Sequence, residues 1–191
     1  MYRDQIQKVI EQAVFVLRNG GIILYPADTI WGIGCDASLE PAIDKLFEIK
    51  GRATQKPFIV LVSDLDQLYS VATSVHPRVD TLLHFHERPL TVVYPGAKEK
   101  YRHLAAPDGS IGVRLVKSGF CHELISAYQD PIISTSANRS GEPSPSKFGS
   151  ISSHIISQVD FAVPAFTEKD ITGVPSVIAR YDENGELEFL R

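Results

Sequence analysis

The chain has 191 residues, 43% of them hydrophobic and 22% charged, the length and composition of one globular domain with a real core. Its formal net charge of −4 argues against broad, charge-driven nucleic-acid binding but leaves room for a local basic groove. Two cysteines, Cys35 and Cys121, exclude a disulfide framework and a cysteine metal site, and no apolar run reaches the length of a membrane span. With no signal-peptide core at the charged N-terminus, the expected setting is a reducing cytoplasm.

Ile6, Val9, Ile10, Ala13, Val14 and Leu17 recur at helical spacing, which predicts an amphipathic helix over 4–18, ended by Gly20-Gly21. Residues 21–25 read as a short apolar strand stopped by Pro26. Residues 26–37 mix polar groups, an aromatic and two glycines, and read as a loop at a strand end, where α/β folds carry ligand sites. Gly32-x-Gly34 lacks the third glycine of a dinucleotide fingerprint and has no helix directly after it, so a Rossmann reading is rejected. Ser38 is placed to cap a helix reaching about Ile49, with Ile43, Leu46 and Phe47 facing inward. Lys50-Gly51-Arg52 follows, with Lys56 four residues on. These cations either complement a helix dipole beside a helix-breaking glycine or serve as half of an anion site.

Residues 58–62 read as a second buried strand and 64–72 as a third helix. Pro77 suits the first turn of a fourth helix, through about His86. His84 and His86 point to different faces of such a helix and read as solvated side chains rather than a ligand pair. No metal-ligand motif occurs, so no metal is expected on protein side chains. Residues 90–94 and 110–116 read as strands. Ser110, Gly112 and Arg114 share one face of the latter, so Arg114 either pairs with a core carboxylate or points into a pocket. Residues 120–128 read as a helix.

Pro131-Ile132-Ile133-Ser134-Thr135-Ser136-Ala137-Asn138 runs from a buried strand into hydroxyls and an amide, and Arg139-Ser140-Gly141-Glu142-Pro143 follows as a loop. Ser134 and Ser136 face one side of the strand, and Asn138 extends the row. Taken alone, this is a Ser/Thr-rich turn entry; taken with the cations after the second helix, it is equipment for holding a polyphosphate. Ser144-Pro145-Ser146 read as the cap of a helix starting near Lys147. Residues 161–166, 176–181 and 187–191 read as strands, the last two joined by a hairpin turn at Glu183-Asn184-Gly185. The expected fold is one α/β domain over 1–191: a twisted mixed sheet flanked by helices, with parallel βαβ units first and a hairpin last.

The motifs Pro26-Ala27-Asp28-Thr29-Ile30-Trp31-Gly32, Lys50-Gly51-Arg52 with Lys56-Pro57, Gly112-Val113-Arg114, Ser134-Thr135-Ser136-Ala137-Asn138 with Ser140-Gly141-Glu142-Pro143, and Pro175-Ser176 stand in one order. In that order the chain resembles the YrdC-like threonylcarbamoyl-AMP synthases from end to end. Both halves of that family's K-x-R and S-x-N signature are intact, which separates it from YciO-type paralogues. Ala27, Trp31 and Arg88-Pro89-Leu90-Thr91 depart from the family's usual residues.

The resemblance implies a YrdC-like (RibB-like) fold with a concave cavity, and a nucleotidyltransferase. Its reaction joins L-threonine, bicarbonate or CO2 and ATP into threonylcarbamoyl-AMP and pyrophosphate. Mg2+ is expected through ATP, with no tightly bound cofactor. Partner proteins of tRNA modification are implied, as is weak direct contact with tRNA. By motif, Lys50, Arg52, Ser136 and Asn138 would be catalytic. Lys50, Arg52, Lys56, Ser110, Ser134, Ser136, Asn138, Ser144 and Arg191 would bind ATP. Thr29, Arg114, Ser136 and Ser176 would bind threonine. The competing expectations are an RNA-binding module and a paralogue that makes a different carbamoyl-adenylate.

Overall fold

The computed structural model describes residues 2–51, 58–169, 171–181 and 184–190. Helix α1 (Tyr2–Arg18) buries Val9, Ile10, Ala13 and Leu17, a stripe at the i, i+1, i+4, i+8 positions that helical periodicity aligns on one face. Strand β1 (Ile23–Pro26) is buried throughout. Strand β2 (Trp31–Asp36) follows after four residues, again with every residue buried. Helix α2 (Glu40–Lys50) ends at Gly51, whose left-handed backbone (φ 57°) favours glycine and closes the helix C-terminus.

Strand β3 (Ile59–Val62) leads to α3 (Leu65–Val71), capped by the Asp64 carboxylate accepting from the Gln67 amide. Helix α4 (Pro77–Phe85), β4 (Leu90–Tyr94), β5 (Ile111–Leu115), α5 (Gly119–Tyr128) and β6 (Ile132–Ser136) come next. The chain continues with α6 (Ser153–Gln158), β7 (Phe161–Ala162), β8 (Val177–Tyr181) and β9 (Leu187–Phe189).

Among the described residues these strands form one sheet of nine, ordered β7-β1-β2-β6-β3-β5-β4-β8-β9. The sheet is mixed, as expected, but its arrangement differs from the expectation of parallel units first. β1 and β2 form an antiparallel hairpin, and β6 inserts antiparallel between β2 and β3. The parallel pairs are β3 with β5, β4 with β8 and β1 with β7. Local pattern cannot reveal this, because β6 returns to the middle of the sheet from about a hundred residues downstream of its neighbour β2.

Three further expectations are corrected. Residues 31–36 are a strand rather than part of a loop. Their polar look comes from glycines that let a buried strand approach its neighbours, and a Cβ at Gly34 would overlap the Ile133 carbonyl oxygen. No α-helix starts near Lys147; a 3-10 turn over Phe148–Ser150 precedes α6, which Ser152 caps. The strand expected over 161–166 stops at Ala162, and a 3-10 turn occupies Ala165–Thr167. Thr167 there bonds back to the Pro164 carbonyl.

Candidate active site

The C-terminus of α2 and the end of β6 are bound together. The buried Lys50 ammonium donates to the carbonyl oxygens of Ser136 (2.7 Å) and Asn138, and the Ser140 amide donates to the Lys50 carbonyl (3.1 Å). Arg139 lies over Gly51, where an added Cβ would stand 3.2 Å from its guanidinium. Two stretches 86 residues apart thus share one corner, and a fixed positive charge sits beneath the loop that carries Asn138.

Asn138 is oriented by its own loop. Its amide nitrogen donates to the carbonyls of Arg139 (2.9 Å) and Glu142 (2.7 Å), while its buried Oδ1 has no partner. The atom available to a ligand is therefore an acceptor, suited to an N–H or a hydrated cation rather than to a phosphate oxygen. Ser134 is buried and Ser136 half-buried on the same face of β6.

A second cluster lies where β5 meets the link between β1 and β2. Arg114, buried on β5, donates to the Thr29 hydroxyl (3.1 Å) and stands 3.0 Å from the Asp28 carboxylate. Of the two alternatives for this arginine the pairing with a carboxylate is the one seen, and its buried Nε remains unpartnered. Strands β6 and β3 lie between β2 and β5, so this contact requires the sheet to curl across that face. Thr91 is the register partner of Arg114 on β4, and its hydroxyl lies 2.9 Å from that of Ser176. The loop leading to Ser176 is clasped to the same link: Thr172 donates from its amide to the Asp28 carbonyl and Gly173 to that of Thr29. The Thr29–Arg114 and Thr91–Ser176 pairs thus stand on neighbouring strands, joined in register at Arg114 and Thr91.

The Sua5/YciO/YrdC family model, described as telomere recombination, matches residues 15–191. A threonylcarbamoyl-AMP synthase of Coxiella burnetii is 30% identical over 141 residues, covering 73% of this chain and 76% of that protein. The Klebsiella pneumoniae enzyme of the same name is 32% identical over 139 residues, covering 71% and 73%. The chain belongs to the Sua5/YciO/YrdC family. A P. abyssi Sua5 structure complexed with L-threonine superposes with a TM-score of 0.83 at 27% identity, covering 95% of this chain and 53% of that one. This chain thus spans about half of that Sua5. E. coli YciO superposes with a TM-score of 0.80 at 21% identity, covering 97% and 89%, a likeness of fold.

Within this Sua5/YciO/YrdC frame the remaining expected residues fall differently. The Ser110 hydroxyl and amide both donate to Asp108 Oδ1 (2.6 and 3.0 Å), leaving Ser110 Oγ as an acceptor. Ser144 is exposed in the loop whose Pro145 carbonyl accepts from the Trp31 amide. Arg52, Lys56 and Arg191 lie outside the described residues. Sequence reasoning missed Asp28 as the partner of Arg114; the signal was a carboxylate beside Thr29 in a stretch with few other charges. Trp31 is a core residue, its indole N–H donating to Glu168 (2.7 Å) and its ring edge-on to Phe148. Burial pushes the thiols of Cys35 and Cys121 well up, so both stay protonated and chemically quiet. A cavity of about 410 Å³ lined by Glu40, Phe47, Phe58, His103 and Pro107 contains none of the residues expected to bind ligand.

Proposed function

We propose that this chain is a threonylcarbamoyl-AMP synthase, joining L-threonine, bicarbonate or CO2 and ATP into threonylcarbamoyl-AMP with release of pyrophosphate. The observation that carries this reading is the bond from Lys50 to the Ser136 and Asn138 carbonyls, which unites both halves of the signature at one corner. The names of the relatives support it, as does the threonine complex of P. abyssi Sua5.

Arg114 would pair with the threonine carboxylate through its unpartnered edge, and Thr29, Ser136 and Ser176 would hold the amino acid's other polar groups. The neutral amine attacks CO2, loses a proton and becomes a carbamate, whose oxygen then attacks the α-phosphorus as pyrophosphate leaves. Both reactants are anionic, so the protein's main task is to offset charge repulsion and align the displacement. Arg52 and Lys56 would neutralise the polyphosphate, and Ser134 and Ser136 would donate to its oxygens. Lys50 acts mainly by fixing the loop and by its charge, since it already serves two carbonyls.

Asn138 Oδ1 would accept from the carbamate N–H or from a cation's water. An unpartnered buried acceptor fits Mg2+ arriving with ATP, which would supply further charge neutralisation. Ser110, Ser144 and Arg191 would line the nucleotide. Partner proteins would carry the threonylcarbamoyl group to tRNA, with weak direct tRNA contact at this surface.

The test is threonine-dependent pyrophosphate release from ATP and bicarbonate. Arg52→Ala and Asn138→Ala should each reduce it by at least about a hundredfold, the scale for losing a preorganised charge or dipole at a reacting centre, with the fold intact by circular dichroism. Wild-type turnover without threonine, or full turnover in either variant, would overturn the assignment.

A further inference from the structure

Tyr25 stands opposite Gly32 in the β1–β2 hairpin, while β2 pairs on its other side with β6, setting Gly32 against Ser136 and Gly34 against Ser134. Side chains at paired positions share a face. On this one, the two β2 residues have no side chains. The phenol of Tyr25 uses that strip to reach across β2. A Cβ on Gly34 would stand 3.2 Å from the Tyr25 hydroxyl, and one on Gly32 would stand 3.0 Å from Ser134 Oγ and 3.8 Å from Tyr25 Cζ. A tyrosine on one strand and a serine two strands away therefore converge over bare backbone.

The Tyr25 hydroxyl is fully enclosed and has no hydrogen-bond partner in this structure, a costly state for a buried donor unless it serves a neighbour. The hydroxyl of Ser134 lines the same bare strip, 3.0 Å from the Gly32 Cβ position that lies 3.8 Å from Tyr25 Cζ. Burial raises the Tyr25 pKa well above its ordinary value. The phenol thus keeps its proton and remains a donor.

We infer that Tyr25 is a positioning residue for Ser134: its hydroxyl donates to one lone pair of Ser134 Oγ and so aims the serine's single proton at a ligand oxygen. A serine hydroxyl has one proton and rotates freely; a fixed donor behind it removes the orientations that waste that proton. The inference rests on the synthase reading for the identity of the ligand oxygen, an ATP phosphate or the carbamate, but not for the contact itself.

The experiment compares the full-length protein with Tyr25→Phe, Ser134→Ala and the double variant. In threonine-dependent pyrophosphate release, Tyr25→Phe should lower kcat/KM for ATP roughly tenfold, the scale of one neutral hydrogen bond. Ser134→Ala should lose at least as much, and the double variant no more than Ser134→Ala, with unchanged melting temperatures. A purely structural tyrosine would instead give losses that multiply, and that result, or wild-type kinetics in Tyr25→Phe, overturns the proposal. The second readout is the slowly exchanging Tyr25 hydroxyl proton, assigned by its loss in Tyr25→Phe. It should shift in Ser134→Ala, and an unmoved resonance overturns the contact even if the wild type makes no pyrophosphate. Absence of wild-type turnover with a shifted resonance would instead overturn the synthase reading alone.

Discussion

Glu168 shows how one side chain can hold a corner of the site without touching a ligand. Its Oε2 accepts both the Trp31 indole N–H (2.7 Å) and the Phe148 amide (2.8 Å). It thereby ties the start of β2 to the turn that follows the Ser144 loop. Replacing Glu168 with alanine strands two donors and should cost about 1–3 kcal/mol of unfolding free energy, the range for orphaned buried polar groups. The chain has one tryptophan, so its fluorescence should shift to the red as the indole gains water; unchanged emission and denaturation midpoint would contradict this role. At the same scale, residue type proved a poor guide to the direction of a hydrogen bond. Asn138, Ser110 and Lys50 all read as donors aimed at a polyphosphate. The folded chain commits the Asn138 amide to two carbonyls, the Ser110 hydroxyl to Asp108 and two Lys50 bonds to the β6 end.

At the scale of elements, β2 decides the geometry of the site, and it was the element least visible in sequence. Its buried positions alternate glycine with Ile33 and Cys35, and the glycines erased the strand signal. Gly34 is glycine because the Ile133 carbonyl and the Tyr25 ring occupy the space a Cβ would need. Gly34→Ala should therefore destabilise the protein by about 3 kcal/mol or more, since the blocking atom is backbone and cannot rotate away. Urea unfolding measures this directly, and a loss below 1 kcal/mol would mean the strand shifts at little cost. By contrast α1, α5, β4 and β6 were legible, because a continuous apolar stripe or run carries its own period.

At the scale of the whole molecule, Asp160 closes one side of the sheet. Its carboxylate accepts from the Ile22 amide (2.7 Å) and from Lys45 of α2, and its own amide donates to the Ile22 carbonyl (2.8 Å). Burial raises the Asp160 pKa, but the Ile22 amide and Lys45 more than offset it and hold the group below its ordinary value of 3.8. A depressed folded-state pKa means that its stabilisation is present above the unfolded value and disappears as pH falls through the folded one. Wild type should therefore exceed Asp160→Asn in stability by about 1 kcal/mol near neutrality, discounted for partial exposure. The gap should begin to narrow below about pH 4 and vanish only once the pH lies below the folded-state value. Melting curves of both proteins across pH 3–7 test this, and a gap that is undiminished at pH 3 would contradict it. Among the described residues no helix is long and apolar enough to cross a membrane.

The amino-acid order by itself determined the mixed α/β class, most helices, the apolar core strands and the five motifs that carry the family resemblance. Each of these is written in local periodicity or in a short run of residue types. Only the tertiary structure decided that β6 sits between β2 and β3, that Arg114 meets Asp28 and Thr29, and that Tyr25 and Ser134 converge over Gly32. Those are contacts between groups far apart along the chain. Strand order and sheet curvature create them, and neither leaves a pattern that neighbouring residues can show.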